Sequence, residues 1–150
     1  AFQLLQGLET LPLRMERHVA NTRRIVEFLA GQPGVASIAY PELASHPDHA
    51  LAKKLLPRGA GAVFSFDLAG DRAAGRRFIE ALGVFSHLAN VGDAKSLVIH
   101  PASTTHFRMD AAALAAGGIG EGTIRLSVGL EDPADLIEDL QRALRAARKG

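Results

Sequence analysis

Two segments of the chain alternate apolar and polar residues, and this alternation constrains the fold more than any other feature. In GAVFSFDL, residues 61–68, the apolar side chains alternate with Ser65 and Asp67; in TIRLSV, residues 123–128, they alternate with Thr, Arg125 and Ser. Successive side chains of a strand point to opposite faces, so each segment is predicted to be a strand with one apolar and one polar face. The apolar faces require a covering layer of helices, and the polar faces, including Arg125, stay free for a partner or an active site.

Helical patterns surround these strands. The spacing of apolar residues and the positions of Asp, Thr, Pro and Gly predict helices over 11–30, 45–56, 71–82, 110–116 and 132–147, and further short strands over 35–40, 84–91 and 96–100. Thr10, Asp71 and Asp132 are the expected caps. The elements predict an α/β (α+β) two-layer sandwich, in which helices cover one face of a mixed or antiparallel sheet of four or five strands.

Composition excludes several classes of function. Seventeen basic and sixteen acidic residues give a net charge of +1, which provides no basic field for nucleic acid. No apolar run approaches the roughly 20 residues that span a bilayer, and no secretory signal is recognisable. Cysteine is absent, which suits the cytoplasm. The chain opens AFQLLQGLETL, as if inside a helix, so we expect it to be part of a longer protein.

Two features could carry chemistry. Arg125 either points into water, as most arginines do, or offers its rigid fork of donors to a carboxylate. The stretch HLANVGDAKSLVIHPASTTH, residues 87–106, places Asn90, Ser103 and Thr105 at the ends of apolar segments. Such residues are either turn and capping residues or members of a binding site. The residues alone leave both alternatives open.

Other candidate motifs are weak. His46 and His49, with Asp48 between them, and the pair His100 and His106 lack a convincing third ligand, so we expect no metal site. The GGIGEG loop precedes a strand, whereas a phosphate-binding loop of the nucleotide type leads from a strand into a helix. No catalytic triad or carboxylate pair is recognisable at a telling spacing, although the members of a triad can lie far apart along a chain.

Long blocks of the sequence resemble a known family. GLETLPLRMERH, HPDHALAKKLLP, GAVFSFDL, HLANVGDAKSLVIHPASTTH and IRLSVGLEDPADLIEDLQRAL are similar to the C-terminal part of the pyridoxal phosphate (PLP) enzymes of cysteine and methionine metabolism. Within that family the chain most resembles the O-acetylhomoserine sulfhydrylases, with cystathionine γ-synthases and γ-lyases as close relatives. The resemblance implies the small C-terminal domain of fold-type I PLP enzymes, over 31–150, and a helical segment over 1–30 that leads from a large PLP-binding domain.

The resemblance also implies roles for individual residues. Arg125 corresponds to the arginine that holds the α-carboxylate of the substrate, and Asn90 to a second contact with that group. Ser103 and Thr105 lie in the block near the substrate. The family's Schiff-base lysine belongs to a Ser/Thr-rich block in the large domain. Because none of the four lysines of this chain lies in such a block, the resemblance implies that this chain has no catalytic and no cofactor-binding residue. The lysines are Lys53, Lys54, Lys95 and Lys149.

The implied whole protein is a transferase of methionine biosynthesis. Its PLP-bound substrate, O-acetylhomoserine, loses acetate and gains sulfide or a thiol, which yields homocysteine or methionine. Its expected partners are the large domain and further copies in a homotetramer, with no nucleic acid and no membrane. The alternatives are a cystathionine γ-synthase or γ-lyase activity, an inactive stand-alone binding or subunit-interaction module, such as a truncated gene product, and a free-standing amino-acid sensor.

Overall fold

The computed structural model describes residues 1–149, which form six helices and five strands. The helices are α1 (Phe2–Glu9), α2 (Leu11–Ala30), α3 (His49–Leu55), α4 (Arg72–Glu80), α5 (Ala111–Ala116) and α6 (Pro133–Ala147). The strands are β1 (Val35–Ala39), β2 (Val63–Leu68), β3 (Ser86–His87), β4 (Leu97–Ile99) and β5 (Thr123–Ser127). A 3-10 turn, Pro101–Ser103, follows β4.

The strands form one mixed sheet in the order β1-β2-β5-β4-β3. β1 pairs with β2, β2 with β5 and β5 with β4 in antiparallel fashion, and the edge strand β3 lies parallel to β4. β5 is therefore the central strand. This sheet confirms the predicted fold class, and its five strands lie within the predicted four or five.

The core helices α2, α4 and α6 cover one face of the sheet; the other face, called the uncovered face below, carries none of these three helices, although several of its side chains are buried. The apolar side chains of β2 and β5 join residues of α2, α4 and α6 in one core, as the rings of Phe66 and Phe78 illustrate, with centroids 5.7 Å apart. Its fully buried members include Ile25, Leu29, Phe78, Ile124, Leu126, Leu136 and Leu140. The predicted two-layer sandwich is confirmed, and the polar side chains of β2 and β5 lie on the uncovered face.

Aspartates cap three helices. Asp71 accepts a hydrogen bond from the Ala74 amide at 2.9 Å, Asp110 from Ala113 at 2.8 Å, and Asp132 from Ala134 at 2.8 Å. All three have the extended backbone that lets a capping side chain reach the first turn. Thr10 was expected to cap α2 but does not, because its backbone, with φ −101° and ψ 1°, is not extended. Its hydroxyl accepts a hydrogen bond from Arg14 Nε instead.

Three predicted elements are shorter in the structure. The strand expected over 84–91 is reduced to Ser86–His87, because the Leu88 amide turns back onto the Ser86 carbonyl at 2.9 Å. The helix expected from residue 45 begins only at His49, after a series of turns. The helix expected to reach residue 82 ends at Glu80. Asn90 consequently lies in a loop.

The N-terminal helices divide into an exposed and a buried part. α1 has no buried residue, and its apolar side chains Phe2, Leu4, Leu5 and Leu8 are all more than half exposed. The second half of α2, by contrast, contributes Ile25 and Leu29 to the core. Among residues 1–149, no helix is long and apolar enough to cross a membrane.

Candidate functional site

Arg125 lies near the centre of the uncovered sheet face. It occupies the middle of the central strand, opposite Ser65 of β2 and Ile99 of β4. Because directly opposed residues project to the same face, these neighbours flank the arginine on both sides. Within β5, Thr123 and Ser127 project to that face too and are buried, whereas Arg125 is only partly buried. A strand bonded on both edges holds the base of the side chain rigidly.

The guanidinium of Arg125 has no partner within the described residues. The four ion pairs of residues 1–149 involve other arginines, and no side-chain hydrogen bond of the described part engages Arg125. The buried side-chain atoms of the described residues that lack a hydrogen-bond partner do not include the nitrogens of Arg125. Since these nitrogens have no partner, they are accessible to solvent. An unpaired guanidinium on a rigid strand can bind a carboxylate through two parallel hydrogen bonds.

A carboxylate on the same face is kept away from Arg125. Asp67 of β2 is opposite Thr123 of β5, two residues before Arg125. Asp67 is therefore a diagonal neighbour of Arg125, and the backbones of such neighbours are about 7–8 Å apart. Both of its oxygens accept hydroxyl hydrogen bonds: Ser37 donates to Oδ2 at 2.6 Å, and Thr123 donates to Oδ1. The Thr123 hydroxyl in turn accepts from the Gly120 amide at 2.8 Å. These bonds hold Asp67 and leave Arg125 available.

The strand order and the right-handed sense of crossovers assign a face of the sheet to the connection from β3 to β4. The chain passes from β2 through α4 to β3, three positions across the sheet, and then returns one position to β4; all three strands are parallel to one another. Connections between parallel strands of one sheet are right-handed. Because these two connections step across the sheet in opposite directions, they lie on opposite faces of the sheet. Since α4 lies on the covered face, the right-hand rule places the loop 88–96 over the uncovered one.

Asn90 lies in this crossover loop and is exposed. Its Oδ1 accepts from the Val91 amide at 2.9 Å, and its Nδ2 lies 3.5 Å from Asp93 Oδ2, so its contacts remain within the loop. The flanking Leu88 and Val91 are 55% and 66% exposed. The loop thus presents an amide between two uncovered apolar side chains.

Ser103 and Thr105 lie just beyond β4, in and after the turn Pro101–Ser103, and are exposed. The Ser103 hydroxyl is 2.8 Å from His100 Nδ1, and the Thr105 hydroxyl is 2.8 Å from His106 Nδ1. Since β4 is antiparallel to β5, its C-terminal end and this turn lie at the end of β5 where Thr123 begins the strand. The two hydroxyls therefore lie at this end of the sheet, and both already have local hydrogen-bond partners.

The histidines make local contacts in place of a metal cluster. His100 is buried, and its Nε2 lies 2.7 Å from the Glu121 carbonyl. His49 Nδ1 lies 3.0 Å from the Pro41 carbonyl, and His46 Nδ1 accepts from the Asp48 amide at 3.1 Å. In the described part of the chain, no group of three or more His, Cys, Asp or Glu side chains could hold a metal ion.

Sequence reasoning missed two carboxylates that fix the ends of the segment 83–96. Asp139, buried in α6, accepts from the Gly83 and Val84 amides at 2.8 Å and the Phe85 amide at 3.1 Å. Glu131 accepts from the amide and hydroxyl of Ser96. Asp139 lies on the apolar stripe of α6, next to Leu140. An acidic residue at such a position was the sequence signal that could have identified this buried carboxylate.

The four lysines lie on α3, in the loop 88–96 and after α6. PLP enzymes require a lysine for the Schiff base and a partner for the ring nitrogen. All four lysines have exposed side chains, and none belongs to a strand of the sheet that carries Arg125. Five cavities of the described part are lined by other surfaces, and Arg125 lines none of these.

Comparison with known proteins identifies relatives along almost the entire chain. It is 47% identical over 146 residues to an O-acetyl-L-homoserine sulfhydrylase of Leptospira meyeri, covering 97% of this chain and 33% of that protein. It is 49% identical over 144 residues to an L-methionine gamma-lyase of Pseudomonas putida, covering 96% and 36%. The chain spans about a third of the length of these curated relatives.

Solved structures share the fold. A Campylobacter jejuni protein described as an O-acetylhomoserine (thiol)-lyase, which contains N'-pyridoxyl-lysine-5'-monophosphate, matches with a TM-score of 0.88 and 44% identity over 95% of this chain and 34% of that one. A cystathionine gamma synthase of Xanthomonas oryzae, in complex with aminoacrylate and cysteine, matches with a TM-score of 0.86 and 43% identity, covering 95% and 37%. The family profile of Cys/Met metabolism PLP-dependent enzymes matches residues 1–145, and the chain therefore belongs to that family.

Proposed function

We propose that this chain is the substrate-carboxylate-binding part of an O-acetylhomoserine sulfhydrylase-like PLP enzyme. The observation that carries the proposal is the unpaired guanidinium of Arg125 on the uncovered face of the sheet. In the proposed reaction, acetate leaves O-acetylhomoserine and sulfide or a thiol takes its place. Arg125 holds the α-carboxylate, Asn90 makes a second contact from the crossover loop, and Ser103 and Thr105 border the substrate.

Arg125 contributes orientation and affinity. Hydrogen bonds to charged groups are worth about 1.5–3 kcal/mol net, and a bidentate pair also fixes the plane of the carboxylate. Fixing the amino acid at this end orients the bond that breaks relative to the cofactor. Because Asp67 is held by Ser37 and Thr123, the substrate does not have to displace an internal ion pair.

The remaining parts of the site come from a large domain in the proposed enzyme. In this proposal that domain carries PLP and its lysine, and it closes a cleft over Arg125. The exposed apolar side chains of α1, and Leu88 and Val91 beside Asn90, are surfaces for such a partner. We further propose that the whole enzyme is a homotetramer of the cytoplasm.

The proposal is tested in a chimera in which this chain replaces the matching third of the Leptospira meyeri sulfhydrylase. The chimera is expected to form homocysteine from O-acetylhomoserine and sulfide. Arg125→Lys is expected to raise KM for O-acetylhomoserine about 10- to 100-fold, because an ammonium cannot reproduce the guanidinium fork. Steady-state kinetics at saturating sulfide measure this change.

Arg145→Lys is the matched control, because Arg145 is an exposed arginine on α6. An active chimera in which Arg125→Lys and Arg125→Ala keep the parental KM would refute the assignment. The isolated 150-residue chain, incubated with PLP, is expected to show no aldimine absorbance. Such a band would argue that the chain holds the cofactor alone.

A lyase activity is the second candidate, because the Pseudomonas putida methionine gamma-lyase is as similar to this chain as the sulfhydrylase is. A carboxylate contact through Arg125 serves both reactions equally. Release of methanethiol from methionine by the chimera, without homocysteine formation, would favour the lyase while retaining the role of Arg125.

A further inference from the structure

A carboxylate helps to join the crossover loop, residues 88–96, to the segment that follows the central strand. Glu131 lies four residues beyond β5; its Oε1 accepts from the Ser96 amide at 2.7 Å and its Oε2 from the Ser96 hydroxyl at 2.8 Å. The same hydroxyl accepts from the Gly129 amide at 2.8 Å. Ser96 is fully buried at the end of the loop that carries Asn90. One side chain thus connects that loop to the segment following Arg125.

The contact between Ser96, Gly129 and Glu131, called the joint below, has no room for a further side chain. A Cβ built on Gly129 would lie 2.5 Å from both the Ala94 carbonyl oxygen and the Ser96 amide, so only glycine fits. The Leu130 amide also donates to the Ala94 carbonyl at 2.9 Å. Because the loop end and the strand end are in contact through both backbone and side chains, they cannot move independently.

Helix α2 also holds the joint, through hydrogen bonds to its backbone. His18, which is 1% exposed, donates from Nδ1 to the Val128 carbonyl at 2.6 Å. The buried Asn21 donates from Nδ2 to the Gly129 carbonyl at 3.0 Å and to the Glu131 carbonyl at 2.9 Å. These bonds fix the backbone that presents the Glu131 carboxylate, and they leave that carboxylate for Ser96.

Asn90 itself lacks contacts that could hold its position. Its hydrogen bonds stay within the loop, and Leu88, Asn90 and Val91 are exposed. The position of the loop relative to Arg125 therefore depends on its anchored ends. Asp139 fixes the entry at residues 83–85, and Glu131 fixes the exit.

We infer that Glu131, acting through Ser96, is a positioning residue that sets the separation between Arg125 and the Asn90 loop and thereby sets the affinity for the α-carboxylate. This inference rests on the proposed function. Glu131 touches neither substrate nor cofactor in this role. Without this carboxylate, the loop exit is held by the backbone bond from Leu130 to Ala94 and by the β4–β5 pairing. The loop exit is then less firmly placed, and the second contact to the carboxylate weakens while Arg125 stays in place.

The test compares the two substrates of the chimera. Glu131→Ala and Ser96→Ala are expected to lower kcat/KM for O-acetylhomoserine about tenfold, the value of one hydrogen bond to a charged group. Sulfide has no carboxylate, so kcat/KM for sulfide should change less than twofold, as should kcat and the cofactor absorbance. Glu131→Gln keeps an oxygen for the Ser96 amide and a donor for its hydroxyl, so it should recover most of the loss.

Glu138→Ala, an exposed glutamate on α6, is the matched control and should leave both values unchanged. Equal losses for both substrates, or a loss of cofactor absorbance, would show a merely structural role and overturn the inference. Amide exchange of the 150-residue chain gives an independent readout: Glu131→Ala should accelerate exchange in the loop 88–96 and not in β2. If Arg125→Ala raises KM but Glu131→Ala does not, only this inference fails; if Arg125→Ala has no effect, the proposed function fails.

Discussion

Replacement of Asp139 by alanine tests how strongly one buried carboxylate supports the segment that leads to the candidate site. Asp139 is 1% exposed, and its two oxygens accept three backbone amides, from Gly83, Val84 and Phe85. It also pairs with Arg142, whose side chain is half exposed. The amides belong to the turn that begins β3, and no other acceptor of the described residues is bonded to them.

The expected loss of stability is the sum of the free energies lost at the three amides and at Arg142. The Phe85 hydrogen bond is buried, so its unpaired amide costs about 1–3 kcal/mol. The other two amides are partly buried and can reach water, so each loses about 1 kcal/mol net. Arg142 returns to solvent at a cost below about 1 kcal/mol. Asp139→Ala should therefore lower the free energy of unfolding by about 3–5 kcal/mol, with a fall in Tm of roughly 10 °C.

The assay is urea unfolding of the 150-residue chain, followed by far-ultraviolet circular dichroism. Asp139→Asn retains one oxygen and should fall between the parent and the alanine variant. The neighbouring exposed Glu138→Ala should change the free energy by less than about 0.5 kcal/mol. If Asp139→Ala lies within about 1 kcal/mol of the parent, the three amides do not depend on this carboxylate and the reasoning is wrong.

Two further predictions concern carboxylates near the sheet. Burial raises the pKa of the Glu42 carboxyl, but hydrogen bonds from Arg23, the Ala60 amide and a tyrosine hydroxyl outweigh burial and hold the pKa below its ordinary 4.5. That stabilisation is present above 4.5 and is lost as the pH falls through the lower folded pKa, so Glu42→Gln should destabilise the chain in urea titrations at about pH 7 but not at about pH 3. Equal destabilisation at both values would contradict this. Thr123→Val frees one oxygen of Asp67 to approach Arg125, and if Arg125 has the proposed role, KM for O-acetylhomoserine in the chimera should rise about threefold. A second substitution, Asp67→Asn, should reverse the rise, and its failure to do so would count against the restraint of Asp67.

The features that the sequence predicted depend on local chemistry. The alternation in β2 and β5 determines which side chains are buried, because the strand period is two regardless of the partner strand. The caps Asp71 and Asp132 are equally local, since each carboxylate bonds to an amide within three residues. The family resemblance, confirmed by the match to residues 1–145, added a specific role for Arg125, which stays a prediction.

The anchors of the candidate site could not be predicted in the same way, because they join residues that are distant along the chain. Glu131 bonds to Ser96, and Asp139 to Gly83, 35 and 56 residues away. Nothing in the local pattern around Glu131 distinguishes it from an exposed loop glutamate. The reduced length of β3 has a similar origin, since an edge strand has a partner on one side only and its extent depends on that partner.

The location of the Asn90 loop illustrates how a site can follow from topology once the strand order is known. The sequence did not reveal the order β1-β2-β5-β4-β3, and without it the loop could cross either face. With the order fixed, the step from β2 to β3 and the return step to β4 run in opposite directions. Right-handed crossovers then require that α4 and the loop lie on opposite faces. Since the core requires α4 on the apolar face, the same apolar residues that stabilise the sheet also direct Asn90 to the face of Arg125.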